Sequence, residues 1–275
     1  MEIPQQGKVT TVTLRKSTTA AQKPSEFGPG YIDFLKLQTE GEGGAYLEKH
    51  LLEPALLSAF GNMKGKDLLE LGCGFGMHTQ RLLNLDPRRI RACDLSPDML
   101  ALAEANVQDP RVKFYQRSAS DLRPGQPNDD HFGNKSFHMA TSAFVLENMP
   151  DEVVVGTFSE VGRVLKKGSI YVVVQLHPDW LLLISGKKEE ADALERFRRY
   201  NEPHIVVLDK TEQHSYTRFY RPNEWYNSIA GGAGFCIQKD MAICIPNPKA
   251  DRSLPKKYHK KAGWPVFRMT AWRKA

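Results

Sequence analysis

Apolar residues recur along this chain in short runs that alternate between two spacings. Compact apolar runs over 67–71, 90–94, 112–116 and 137–142 predict strands. Between them the apolar spacing lengthens to three or four residues, which predicts helices over 77–85 and 97–106. A further helix over 151–165 leads, through a Lys-Lys-Gly turn, into IYVVVQL as a fifth strand at 170–176. Strands alternating regularly with helices imply an α/β fold, with a mostly parallel sheet covered by helices on both faces.

The flanks read differently. Residues 1–24 are rich in Thr, Ser, Gln and Lys with little apolar periodicity, and are expected to form a disordered tail. Helical spacing at 32–37 and 46–60, separated by GEGGA, predicts two N-terminal helices joined by a flexible turn. After the fifth strand the rhythm breaks. The segment from 177 to 221 carries WLLLI, EEADALERFRRY and HSYTRFYRP, and is too long for a simple connection, so it reads as a lid. A helix over 222–230, closed by Gly231 and Gly232, precedes two last strands at 236–245 and 265–272, with a long lysine-rich loop between them. The expected organisation is one domain over 25–275, with a helical cap at 25–62 and a lid or substrate insertion at 177–221.

Composition narrows the class. The chain has 275 residues, 41% of them hydrophobic and 25% charged, enough for one substantial core. Its net charge of +6 reads as spread over the whole length, which permits nucleic acid as a partner without demanding it. The N-terminus lacks an apolar run of signal-peptide length, and WLLLI and IYVVV are too short to cross a bilayer. A cytoplasmic location with no membrane partner is therefore expected. Cys73, Cys93, Cys236 and Cys244 form no C-x-x-C pair and no zinc-type spacing, so reduced packing cysteines and no metal are expected.

The chemistry concentrates in DLLELGCGFGM at 67–77. A glycine-rich turn after a strand suits a dinucleotide, a nucleoside triphosphate or a smaller adenosine compound. The dinucleotide fingerprint G-x-G-x-x-G fails, because Gly72, Gly74 and Gly76 alternate and position 77 is Met. No Lys-Ser/Thr pair follows for a triphosphate. Asp94 closes the second strand 18 residues after Gly76, where a carboxylate can accept from both ribose hydroxyls. Glu70 places negative charge beside the turn, opposing a pyrophosphate but suiting a ligand with an ammonium and a sulfonium. That ligand is S-adenosylmethionine.

An ordered series of motifs then runs over roughly 56–175: ELGCGFG, ACDLSPDML, FYQRSASDL, ATSAFVLENM and VGRVLKKGSIYVV. In these the chain resembles the Rossmann-like (class I) S-adenosylmethionine-dependent methyltransferases, in their small-molecule branch. The resemblance implies a seven-stranded sheet and a cofactor site in which Gly72, Cys73, Gly74 and Gly76 line the methionine part beside Glu70. It also implies that Asp94 holds the ribose, Leu95 and Met99 flank the adenine, Ser120 and Asp121 meet its amino group, and Ser142 and Phe144 pass beneath the methionine moiety. Taken singly, Asp94 also suits a helix cap and Asp121 a turn. Their recurrence at successive strand ends favours the cofactor.

Methyl transfer is a direct displacement from an activated donor, so the protein mainly aligns the acceptor and keeps water out. The acceptor pocket is expected between the strand ends, the N-terminal helices and the insertion. His177, directly after the fifth strand, is the candidate proton acceptor, with a strand-capping histidine as the alternative. Tyr31, Phe34 and Tyr46 are candidates to close over the sulfonium, or else form a plain amphipathic stripe. Trp180, Tyr216, Phe219 and Tyr220 are candidates to line the substrate, or to pack the lid. The expected function is methylation of O, N or C on a small hydrophobic or aromatic metabolite. Two alternatives stand beside it. A nucleic-acid methyltransferase is suggested by KKYHKK at 256–261 but lacks the Asn/Asp-Pro-Pro-aromatic signature after the fourth strand. A non-methylating protein on the same scaffold, using the cofactor's positive charge to promote cyclisation or acting as a scaffold partner, is the other. The exposed N-terminal helices are candidates to mediate a homo-oligomer.

Overall fold

In a computed structural model of the chain, residues 13–16, 46–123, 132–180, 203–207 and 215–275 are described, those at 13–16, 203–207 and 215–217 by their backbone alone. The centre of the molecule is β2 (Asp67–Leu71), whose five residues are all buried. A strand so enclosed needs apolar side chains on both faces, which DLLEL supplies at Leu68, Leu69 and Leu71. Parallel neighbours flank it: β3 (Arg89–Asp94) and β4 (Val112–Gln116) on one side, β5 (Phe137–Ala143) and β6 (Leu165–Leu176) on the other. The sheet ends with β10 (Pro265–Lys274) and β9 (Phe235–Cys244), both antiparallel to their neighbours, in the order β4-β3-β2-β5-β6-β10-β9.

Helices cover both faces. Against one lie α1 (Glu53–Phe60) and α2 (Met77–Leu83), with Leu56, Phe60 and Leu82 packed on Leu68, Ile90, Met139 and Val172. On the other, α4 (Asp151–Val164) buries Val154, Phe158 and Val161, an i, i+4, i+7 stripe that also meets α5 (Asn223–Gly232). Phe158 stands edge-on to both Tyr171 and Trp272, at 5.3 Å between ring centroids. The helix α3 (Pro97–Asn106) starts on Ser96, whose hydroxyl accepts from the Met99 amide, with Pro97 in the first turn.

Several elements depart from expectation for local physical reasons. The helix predicted over 46–60 is split: Leu47–Leu52 forms a π-helical turn ahead of α1. Pro54 lacks the amide that would bond to His50, and the wider turn accommodates the gap. The Lys-Lys-Gly segment is no turn, because β6 begins at Leu165 and absorbs a register irregularity beside Gly168, at φ +77°. Gly231 and Gly232 lie inside α5, and the left-handed residue that follows is Gly234, at φ +80°. Thr13–Lys16 lies within the segment expected to be a tail but forms β1, paired antiparallel with β7 (Pro203–Val207), which pairs in turn with β8 (Ser215–Phe219). The Thr- and Val-rich composition that lacks helical periodicity is also strand composition. The insertion thus contributes two strands to a small separate sheet, ordered β1-β7-β8.

Candidate functional site

Parallel strands put their carboxyl ends on one edge, and the residues singled out by sequence gather there. The turn after β2 folds back on β3: the amides of Gly72 and Cys73 both donate to the Cys93 carbonyl, at 2.7 and 3.0 Å. The three glycines differ in what surrounds them. A Cβ on Gly72 would sit 2.4 Å from Val145 Cγ2, and one on Gly76 would sit 2.9 Å from Val107 Cγ2, so these two are required by packing. Gly74, at φ +53°, has nothing within 4 Å of a Cβ position, which leaves a bare backbone facing open space.

Asp94, at the end of β3, holds that backbone. Its Oδ2 accepts from the Gly74 amide at 2.9 Å and its Oδ1 from the Ser96 amide at 3.0 Å. Burial raises its pKa, opposed by these amide bonds. The helix-cap role belongs to Ser96, so Asp94 is spared for the turn. Leu95 beside it is 42% exposed, an open apolar surface at the strand end, whereas Met99 is buried beneath.

Glu70 is only 3% exposed and accepts from Thr79 Oγ1 at 2.6 Å. Burial pushes its pKa up to about 8; the Thr79 bond opposes this and the nearby Asp94 adds to it. The same glycine turn thus has a buried acid behind it that no cation balances among the described residues. Glu70 shares a cavity with Leu56, Phe60, His78, Thr141 and Ala143. His78 is half-buried, its ring kept neutral by a pKa near 3 through burial, and its Nε2 has no partner among the described residues. Burial also raises the thiols of Cys73 and Cys93, leaving both protonated.

At the next strand ends the expected residues are partly committed elsewhere. Ser120 shares a 2.9 Å hydrogen bond with Ser118, and Asp121 is exposed in the turn after β4. Ser142 is completely buried, with its hydroxyl 2.8 Å from Tyr171, so only its backbone lies at the edge. Phe144 adopts φ +61°, a strained value for a bulky side chain, and packs its ring against His78 and Phe267.

On the far side, His177 follows β6, and its Nδ1 accepts from the Asp179 amide at 3.3 Å. Trp180 is buried against Tyr258, and Tyr46 is buried with its hydroxyl bonded to Asp251 and its pKa pushed up to about 12, chiefly by burial. Tyr220 is half-buried just after β8. Tyr216 lies in β8, opposite Val206, with its side chain outside the described residues, as are Tyr31 and Phe34 altogether.

Sequence reasoning missed what fastens the insertion. Glu147, 2% exposed in the loop after β5, takes Arg218 Nη2 at 3.1 Å and the Leu176 amide at 3.4 Å on one oxygen. Its other oxygen, and Oδ1 of neighbouring Asn148, have no partner among the described residues. Arg221 donates to Asp151 at 2.6 Å and to the Leu146 and Met149 carbonyls, and stacks between Phe219 and Trp225 at 5.0 Å from each. The available signal was an acid inside the apolar stretch AFVLEN. No group of three or more metal-ligating side chains occurs among the described residues, and no helix among them is long and apolar enough to cross a membrane.

The profile of a family described as "Methyltransferase domain" matches residues 68–168. N-demethylindolmycin N-methyltransferase of Streptomyces griseus is 30% identical over 187 residues, covering 67% of this chain and 74% of that protein. Malonyl-[acyl-carrier protein] O-methyltransferase 1 of Ilyobacter polytropus is 30% identical over 95 residues, and this match spans 34% of the chain but only 35% of that protein's length. A solved structure of Burkholderia thailandensis 1,6-didemethyltoxoflavin-N1-methyltransferase, with its bound substrate and S-adenosylhomocysteine, superposes with TM-score 0.54 at 16% identity, covering 95% of each chain.

Proposed function

Because this chain belongs to the S-adenosylmethionine-dependent methyltransferases and uses that cofactor, we propose that it methylates a small molecule held beneath its insertion. The carrying observation is the buried pair Glu147–Arg218, which fastens the insertion to the loop after β5 and to the end of β6. A site walled in this way suits a compact acceptor better than a nucleic-acid strand. Two relatives, from Streptomyces griseus and Burkholderia thailandensis, are named for methylation of nitrogen on small molecules, which supports the same reading.

The residues present fit the cofactor. Gly74 offers an uncovered backbone, Asp94 retains lone pairs for the ribose, and exposed Leu95, backed by buried Met99, offers apolar surface to the adenine, with Ser120 and Asp121 next along the edge. Glu70 supplies negative charge behind the turn for the ammonium. When bound, S-adenosylmethionine supplies a methyl group already activated by its sulfonium. The protein's task is then alignment and exclusion of water. Phe144, whose ring packs against His78 and Phe267, follows β5 at the same edge. The unpartnered oxygens of Glu147 and Asn148 are ready to accept hydrogen bonds from an acceptor's N–H or O–H. His177 Nδ1 already accepts the Asp179 amide, which places the neutral ring's proton on Nε2. His177 therefore orients the acceptor as a donor, a different role from the proton uptake expected from its position alone.

The test is transfer of label from methyl-labelled S-adenosylmethionine to a panel of small amines, phenols and heteroaromatics, with bulk transfer RNA alongside. Label in a small molecule, diminished in His177→Ala with unchanged S-adenosylhomocysteine affinity, is expected. Label found in RNA alone overturns the reading.

A further inference from the structure

The positive charge of this chain is not spread as its composition suggests. Residues 245–264 contain Lys249, Arg252, Lys256, Lys257, Lys260 and Lys261 against the single acid Asp251, a net of +5 out of the chain's +6. Asp251 is already engaged by Tyr46 and by Ser253. None of the six basic side chains pairs with a carboxylate among the described residues.

The fold brings this loop to the site. Because β10 runs antiparallel to β6 with Phe267 opposite Leu176, the connection from β9 to β10 emerges at the same edge as the glycine turn. Its base is closed by bonds between Ile245 and Trp264 and from Gly263 to Ile245, at 2.9 and 2.8 Å. Buried Leu254 and Tyr258 hold it down, and the short helical turn Lys256–Lys261 lies over Trp180, three residues past His177. The Lys261 ammonium sits 5.6 Å from the Trp180 ring centre and 5.9 Å from that of Tyr258, while Lys257 sits 5.4 Å from Tyr258. Lys261 is half-buried, and its pKa is lowered by burial and by Lys257. Two like charges over the same ring, one of them partly stripped of water and without a carboxylate, form a site short of an anion.

We propose that this loop binds a phosphate-type head group carried by the methyl acceptor, with Lys257 and Lys261 as its inner ligands and Lys256 and Lys260 at its rim. The proposal rests on the small-acceptor reading. Two ammonium groups over one ring are balanced better by two negative charges than by one, which favours a phosphate or diphosphate over a single carboxylate. A nucleic-acid strand is disfavoured, because Trp180 and Tyr258 are buried beneath the lysines and cannot stack bases, leaving only Trp264 exposed, at 39%.

Inorganic pyrophosphate is the probe, titrated into the full chain loaded with S-adenosylhomocysteine at constant ionic strength. Tryptophan fluorescence, with Trp180 and Trp264 at the site, and calorimetry provide the readouts. Saturable one-site binding is expected, weakened at least about tenfold in Lys257→Gln/Lys261→Gln and retained in Lys261→Arg, with S-adenosylhomocysteine affinity unchanged. Absence of saturable binding overturns the proposal, as does binding undiminished in the double variant. Transfer RNA binding through these lysines, with a steep salt dependence and tighter than pyrophosphate, also overturns it. Competition between pyrophosphate and a phosphate-bearing acceptor assigns the site to the acceptor; non-competitive inhibition assigns it to free phosphate and refutes that assignment. Pyrophosphate binding is read without turnover, so it is separate from failure of the small-acceptor reading, which appears as label in no small molecule.

Discussion

If Glu70 faces the cofactor ammonium, as proposed, cofactor binding should release a proton. In the free protein its pKa stands near 8 against an ordinary 4.5, mainly from burial, so at pH 7 the carboxyl is mostly protonated. That displacement penalises the ionised form by roughly 5 kcal/mol. A cofactor ammonium opposite Glu70 restores the charge, and binding then expels one proton. Below pH 8 the affinity for S-adenosylhomocysteine, which carries the same ammonium, should rise up to about tenfold per pH unit. The ligand's ammonium keeps its proton over this range, so the rise is read between pH 6 and 7.5, where at least about tenfold is expected. Calorimetry in buffers of different ionisation enthalpy counts the protons directly. Glu70→Gln should release none, bind more weakly and show a flat profile. The free protein supplies a control of opposite sign. Because the folded pKa lies above the unfolded one, wild-type stability falls as pH rises from about 4.5 to 8, and Glu70→Gln should gain relative stability across that window. A flat wild-type profile without proton release, or wild-type affinity in Glu70→Gln at pH 8, refutes the reasoning.

The glycine turn predicts a dissociation between two neighbours. Gly72→Ala drives a methyl into Val145 at φ +67° and should lower stability by about 2–3 kcal/mol in urea unfolding. Gly74→Ala meets nothing and should cost only about 1 kcal/mol, yet weaken S-adenosylhomocysteine binding at least about tenfold; equal stability losses contradict the distinction. Glu147→Ala strands Arg218 in the interior and should destabilise by about 3–5 kcal/mol, while Glu147→Leu/Arg218→Met recovers most of this. A single variant as stable as wild type shows that the pair does not fasten the insertion.

The bounds of β2, β4 and α3 were legible to the residue, because each depends on neighbours within a dozen positions: an apolar run, a Ser-Pro cap. The strand-end residues Asp94 and Phe144 were legible because a repeated strand-helix rhythm places strand ends together. The Glu147–Arg218 pair was not, since 71 residues separate its members and neither spacing nor composition joins them. The inward turn of the Ser142 hydroxyl was not legible for a related reason. A strand's last residues alternate between faces, and its hydroxyl falls on the Tyr171 side, inside the core. The lysine-rich loop was legible as a run of residues, but its place at the glycine-turn edge was not, because neither net charge nor local sequence reveals which edge of the sheet a connection occupies.

The two arginines that fasten the insertion direct three of their bonds to main-chain oxygens, those of Leu146, Met149 and Leu176. A carbonyl is the same whatever side chain hangs beside it. The anchorage at those three positions therefore draws on the backbone and not on the identity of the side chains. On the proposed reading, acceptor preference is then open to change through side chains near this anchorage, with the methyl-donor turn after β2 left untouched.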